Sequence, residues 1–316
     1  MRVLVTGGAG FIGSHLASRL LELGHQVTVV DNESTGRREH VPAGARYVRG
    51  DVTVAAELEP AFAGGLDAVL HVAGQASTIR SFDDPGADLH TNVGGTLGVL
   101  RACLAHRVPR LLYASSMTVY GHPRALPVDE EHPLAPASYY GVAKLAAERY
   151  VHATGARGDL DFSFAVTSFR MFNVYGERQS LENPYQGVLA IFLGAVLRGE
   201  PITIYGDGEQ SRDFVYVGDV AEAWVAALER PAARGEVMNL GTGTRRSLHE
   251  LIAALAAAAG ARPELRFAAE RPGDQRHMQA AVGKAERLLG WRPRVSLEEG
   301  MARTLAWARQ ALGGAR

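Results

Sequence analysis

The stretch SYYGVAK, residues 138–144, places Tyr140 four positions ahead of Lys144. On a helix, side chains at i and i+4 share a face, so a phenol and an ammonium can reach one common space. A free phenol, with a pKa of about 10, is a poor base at neutral pH, and a nearby cation stabilises its phenolate. The pair is suited to moving a proton. At a helix surface the same spacing carries no chemistry, so its meaning depends on what the chain builds around it.

A second cluster provides a place for a ligand. RVLVT runs directly into GGAGFIG, which sets Gly7, Gly10 and Gly13 three residues apart with Phe11 and Ile12 between them. Glycine there permits a tight strand-to-helix turn, lets backbone N–H groups approach a pyrophosphate, and brings the helix close to the sheet. The amphipathic run SHLASRLLEL follows and stops at Gly24, the context that gives a glycine triplet its meaning. The next strand pattern, QVTVVD, ends in Asp31 and Asn32. An acidic side chain about twenty residues past the glycines accepts hydrogen bonds from the adenosine ribose hydroxyls and repels a 2′-phosphate. NAD is therefore expected rather than NADP, with Arg37 and Arg38 the features that point the other way. The third and fourth strand patterns end in Asp51-Val52 and in Ala73-Gly74, where a ligand crossing the carboxyl ends of parallel strands would meet them.

These residues need a frame. RYVRGD, DAVLHVAG and RLLYASS continue an alternation of short apolar runs with helical patterns. Such an alternation predicts an α/β fold, a doubly wound parallel sheet covered on both faces. FSFAVTSFR, residues 162–170, extends that sheet. After residue 173 the turns NPYQG, GEPITIYGDGEQ and LGTGT separate helical pieces such as VLAIFLGAVLRG and SLHELIAALAAAAG. This predicts a cofactor domain over 1–172 and a smaller C-terminal α/β substrate lobe over 173–316, with segments near 214–242 returning to the first. Trp224, Trp291 and Trp307 are expected to anchor packing.

Composition narrows the function classes. A chain of 316 residues that is 47% hydrophobic and 21% charged can bury one large domain and a lobe. Its net charge of -1 and its lack of a basic block argue against a nucleic-acid surface. No apolar run approaches the roughly 20 residues of a membrane span, and MRVLVTGGAG opens as a strand and turn rather than a signal peptide. A cytoplasmic protein with a small-molecule partner is expected. The single Cys103 excludes a disulfide within the chain, and the 11 histidines form no metal-binding motif.

The N-terminal G-x-x-G-x-x-G, SSMTVYG and YGVAK together resemble the extended short-chain dehydrogenase/reductase family. TNVGGT, RMFNVYGERQ, IYGDGEQSRDFVYVGDVA and RPGDQRH follow in the family's order over nearly the whole chain. The closest likeness is to its nucleotide-sugar epimerases related to UDP-glucose 4-epimerase. The resemblance implies a Rossmann-type fold, bound NAD, and 4-epimerisation of a UDP-hexose through a transient 4-keto sugar. It makes Tyr140 the base and acid, Lys144 the cation that binds the nicotinamide ribose and lowers the tyrosine pKa, and Ser116 the hydroxyl that orients the sugar oxygen. A serine at a strand end can donate to an oxygen as it becomes a carbonyl. Thr118 is an auxiliary hydroxyl or, with Ser115, a strand cap. Asn92 orders the active site beside the cofactor or makes a helix hydrogen bond. Asn173, Arg212, Arg271 and Asp274 are implied contacts of the nucleotide diphosphate, for which two arginines suit a doubly charged pyrophosphate. A homodimer is implied through a helix near 86–106 and the helix beginning near 139.

Departures from the family pattern refine the chemistry. Sugar 4,6-dehydratases carry an Asp-Glu pair after the active-site hydroxyl residue, where this chain has Met117 and Thr118. Neither can shuttle the required proton. Ser180 stands where glucuronate epimerases often have an arginine, which favours a neutral sugar. Met278 either limits N-acetyl groups or packs as an ordinary core residue. The alternatives are a dTDP-6-deoxyhexose 4-epimerase, suggested by QSLENPYQGVLAIF, another family oxidoreductase or dehydratase, and a non-catalytic NAD-sensing protein on the same fold.

Overall fold

The structure, a computed structural model, describes residues 1–181, 183, 187–270 and 275–313. Its first strand sets the logic of the whole sheet. In β1 (Arg2–Thr6), Val3 and Val5 enter one core and Leu4 the core on the opposite face, because successive strand side chains alternate. Both faces must be covered, and the helices do it. α1 (Phe11–Glu22) brings Leu16 and Leu20 to the first face. After β2 (Gln26–Asp31) and β3 (Arg46–Arg49), α2 (Ala55–Phe62) brings Leu58 and Phe62 to the second.

β4 (Ala68–His71) leads into α3 (Thr78–Asp83) and α4 (Pro85–Leu89), followed by a π-helical turn at His90–Gly94 and by α5 (Gly95–Ala105). The continuous helix expected near 86–106 thus contains a widened turn, a feature frequent at functional sites. Beyond it α5 lies hard against the chain after β3: a Cβ on Gly98 would sit 2.3 Å from the Val52 carbonyl oxygen. β5 (Arg110–Ser116) is buried along its whole length. α6 (Tyr139–Gly155) starts where the Ser138 side chain accepts a hydrogen bond from the Gly141 N–H at 3.1 Å, a serine N-cap. β6 (Ala165–Met171) completes this half.

The remaining elements are β7 (Asn173–Tyr175), α7 (Val188–Arg198), β8 (Ile202–Tyr205), β9 (Ser211–Tyr216), α8 (Val217–Glu229), β10 (Val237–Leu240), β11 (Arg245–Ser247), α9 (Leu248–Ala259), β12 (Leu265–Ala268), α10 (Gly283–Leu289) and α11 (Leu297–Gly313). The main sheet has seven strands in the order β10-β6-β5-β4-β1-β2-β3, every pair parallel. The doubly wound expectation is borne out. α8 and β10 return to this sheet, with Trp224 packed 5.0 Å from the Phe169 ring. The smaller sheets, β11-β9-β7 and β12-β8, surround a separate core that includes Phe192, Ile204, Leu251 and Leu305. Strand order reverses between β1 and β4, which opens a crevice at their carboxyl ends, the usual ligand position in this architecture.

Candidate active site

The crevice begins at the glycine turn. Gly7 has φ +68°, and a Cβ there would lie 2.8 Å from the Ala73 backbone N. At Gly13 a Cβ would be 2.1 Å from the Gly7 carbonyl oxygen. Any side chain at either position would push the turn apart. Gly10 caps α1 with no side chain accepting from its first N–H groups, so the donors around Phe11 and Ile12 are left for an anion.

Asp31 ends β2 beside this turn. Its carboxylate accepts hydrogen bonds from the Ala9 N–H at 2.9 Å and the Glu33 N–H at 2.8 Å. Burial pushes its pKa up, and the backbone donors pull it back. Asp31 therefore also ties the glycine turn to the sheet, a role the motif alone does not reveal. Further along, Asn32 Nδ2 donates to Asp51 Oδ2 at 2.8 Å. Both residues line a cavity of about 500 Å³ with Arg49, Gly50, Val54 and Glu57. Val52 turns instead into the core with Leu58 and Val99. The open helix start, the buried carboxylate and this cavity fit the pyrophosphate, ribose and adenine of a dinucleotide in turn.

Across the switch point, β5 and α6 bring the candidate reactive groups together. Ser116, the last residue of β5, is almost buried, and its Oγ accepts from the Thr118 N–H at 3.3 Å and from Thr118 Oγ1 at 3.0 Å. Because both bonds use lone pairs of Ser116, its own proton stays available. Thr118 thus hydrogen-bonds Ser116, whereas Ser115 donates to Glu148 Oε2 at 2.6 Å. Lys144 Nζ donates to the Ala114 carbonyl at 2.8 Å and lies 6.0 Å from the centre of the Tyr140 ring.

The electrostatics of the pair differ from the simple expectation. Burial pushes the Tyr140 phenol up to about 12, with Ser116 pulling it back and Asp88 raising it further. Burial also lowers Lys144 to about 8, opposed by Asp88. Desolvation penalises the charged form of each group, and a cation 6.0 Å from the ring centre does not offset it. The chain by itself therefore holds the tyrosine protonated.

Asn92 lies on the π-helical turn. Its Nδ2 donates to the Gln75 carbonyl at 3.1 Å and to Asp88 Oδ1 at 3.0 Å, while its Oδ1 is buried without a hydrogen-bond partner. A Cβ on Gly74 would sit 2.6 Å from that oxygen and 3.5 Å from Lys144 Nζ. His71, buried between Thr6 Oγ1 at 2.7 Å and Thr96 Oγ1 at 3.0 Å, is pushed down to about 3 and stays neutral.

The second lobe meets this centre through strand register. Ser116 pairs with Met171, and the chain then starts β7 at Asn173. The Asn173 Oδ1 is buried without a hydrogen-bond partner among the described residues. Arg212 lies on the neighbouring β9, and its Nη1 donates to the carbonyls of Ser211 at 3.0 Å and Arg276 at 3.3 Å. Arg271 and Asp274 lie outside the described residues. Met278 is fully buried with Val119, Tyr120 and Phe172. Motif reading passed over Asp88 and Gln75, although Asp88 and Asn92 stand four apart and could have been read as a polar helix face.

A glycine turn at the switch point of a doubly wound sheet, facing a serine, tyrosine and lysine, defines a dinucleotide-dependent protein of the extended short-chain dehydrogenase/reductase class. The chain belongs to the NAD dependent epimerase/dehydratase family, whose model matches residues 3–241. It is 40% identical over 321 residues to the UDP-glucose 4-epimerase of Mycolicibacterium smegmatis, covering 98% of this chain and 99% of the relative. Among solved structures, it resembles the Thermotoga maritima UDP-glucose 4-epimerase with UDP-glucose, with a TM-score of 0.93, 37% identity and coverage of 99% of this chain and 100% of that one. The Thermus thermophilus UDP-glucose 4-epimerase in complex with NAD gives 0.91 at 40% identity, covering 98% and 100%. These relatives bear out the expectation of an NAD-dependent nucleotide-sugar epimerase. Among the described residues no helix is long and apolar enough to cross a membrane.

Proposed function

We propose that the protein inverts C4 of a UDP-hexose, interconverting UDP-glucose and UDP-galactose, with Tyr140 as base and acid, Ser116 as hydrogen-bond donor and Lys144 as the supporting cation. The observation that carries this reading is the convergence of those three side chains at the carboxyl end of β5, next to the glycine turn. Its support from relatives is similarity to UDP-glucose 4-epimerases over nearly the full chain.

The backbone donors of the Gly7–Gly13 turn, Asp31, Asn32, Asp51, Ala73 and Gly74 would hold NAD. When bound, NAD supplies a hydride acceptor that becomes the donor, and a positive ring that favours the Tyr140 phenolate. Tyr140 takes the proton of the sugar 4-hydroxyl and returns it after the keto sugar has turned over. Ser116, whose proton is left free by Thr118, donates to the sugar oxygen as carbonyl character develops. Lys144 keeps positive charge beside the phenol throughout. Asn173, Arg212, Arg271 and Asp274 grip the nucleotide diphosphate, while looser contacts let the sugar reorient. Met117 and Thr118 offer no carboxyl group for water elimination, which favours epimerisation over dehydration.

The active unit we propose is a homodimer. Phe82, Leu89, Tyr139 and Val142, each at least half exposed, lie on α3, α4 and α6, with α3 and α4 both packed against α6. The rings of Phe82 and Tyr139 meet edge-on at 5.5 Å, which joins the α3 and α6 members, and exposed apolar patches mark association surfaces.

Incubating the purified protein with UDP-glucose, UDP-galactose, their N-acetyl counterparts and dTDP-6-deoxyhexoses, then reading the C4 configuration by NMR, tests the assignment. UDP-glucose and UDP-galactose should equilibrate with no net release of NADH. Failure to invert C4 in any of these sugars would contradict it.

A further inference from the structure

Two opposite charges are buried on helices that pack together, and neither has an ion-pair partner among the described residues. Asp88 on α4 is 2% exposed and Lys144 on α6 is 5% exposed. Isolated charges are costly in a protein interior and are normally paired. The Asp88 carboxylate accepts at Oδ1 from Gln75 Nε2 at 2.8 Å and from Asn92 Nδ2 at 3.0 Å, and its Oδ2 is buried with no hydrogen-bond partner. Burial pushes its pKa up, while the two amide donors and the Lys144 charge pull it back toward the carboxylate. Asn92 brings this cluster to the Gly74 turn, where Lys144 Nζ also lies.

We propose that Asp88 is a positioning residue for the active site, its carboxylate fixed by Gln75 and Asn92 as the buried counter-charge that keeps Lys144 an ammonium. This rests on the reading of Tyr140 and Lys144 given above. The other ionisable groups around Lys144 do not serve. On its own helix, Tyr140 is protonated in the ligand-free chain and Glu148 is consumed by Arg170 and Ser115. Tyr113 of β5, whose ring centre is 5.1 Å from Nζ, is buried and held neutral, as is His71 of β4. His90 of the π-helical turn bears on Asp51 instead. Arg80 and Asp83 of α3 form no ion pair with either group among the described residues.

Asp88 has a second effect, because its charge also opposes ionisation of Tyr140. One carboxylate thus biases both members of the pair toward their protonated forms. Removing it should move both limbs of the pH–rate profile toward lower pH together. A merely structural role would lower the profile without moving its limbs.

The sequence makes a direct test possible, since Lys144 and Lys284 are its only lysines. In the NAD-loaded protein carrying 13Cε-lysine, Lys284→Arg assigns the two NMR signals and pH titration follows Lys144. Asp88→Asn keeps an acceptor for Gln75 and Asn92 and removes the charge. It should lower the Lys144 titration point by roughly a pH unit, Asp88→Glu should restore it, and the pH profile of kcat/KM should shift the same way. If Asp88→Asn does not fold, Asp88→Ser removes the same charge and carries the same expectation. A Lys144 signal that titrates at one pH with and without the charge overturns the role of Asp88, whatever happens to turnover. Full turnover in Tyr140→Phe would instead overturn the proposed chemistry, and the lysine titration would still decide the electrostatic claim.

Discussion

Successive turns of α6 bury charge in opposite ways. At Glu148, Arg170 Nη2 and Nε donate to the carboxylate at 2.6 and 3.1 Å and Ser115 adds a bond at 2.6 Å. Arg170 Nη1 completes the network on Tyr120 Oη and the Glu130 carbonyl, both at 3.1 Å. One turn earlier, Lys144 has a backbone carbonyl at 2.8 Å and, among the described residues, no carboxylate in contact. The first arrangement is a joint that fixes α6 against β5 and β6. The second keeps a charge in an unfavourable setting, where its proton affinity responds to whatever binds beside it. Between them they set a fully paired buried charge and a sparsely partnered one on the same helix.

Breaking the joint should have the largest effect on stability. Glu148→Ala leaves Arg170 buried and unpaired, and should cost about 3–5 kcal/mol, read as a lower urea midpoint with unchanged slope. The opposite change at the reactive turn should stabilise. Lys144 falls from 10.5 to about 8 on folding, a difference worth on the order of 3 kcal/mol. The unfolded chain binds the extra proton between those two pH values, so native stability rises with pH across that window and the full penalty applies below pH 8. Lys144→Met combined with Asp88→Asn, so that no buried counter-charge is left over, should therefore unfold at higher urea than the parent at pH 7, keep less of that advantage as pH approaches 10.5, and turn over poorly. An equal or lower urea midpoint at pH 7 would contradict the contrast.

What could be read from residues alone follows the same division. Gly7, Gly10, Gly13 and Asp31 form a local pattern whose geometry is dictated by one strand, one turn and one helix, and Tyr140 with Lys144 needs only a helix. The parallel sheet was legible because buried strands such as RLLYASS are apolar for most of their length. Glu148 and Arg170 stand 22 residues apart, and their pairing depends on the register of α6 over β6. The link from Asp88 to Lys144 depends on a packing of α4 against α6 that no spacing encodes. The rise of Tyr140 to about 12 was missed for the same reason: a helix pattern shows which groups share a face and not how dry that face becomes. Asn173 and Arg212 were identified by resemblance, and neither the apolar pattern nor the spacing around them would have singled them out.

The most direct measurement concerns the Tyr140 hydroxyl. Tyr140→Phe removes one oxygen from a buried ring and should leave NAD binding intact, while the interconversion of UDP-glucose and UDP-galactose falls by roughly 100- to 10,000-fold, the range for loss of a positioned acid–base group. Parent-level turnover in that variant, with NAD bound, would contradict the account.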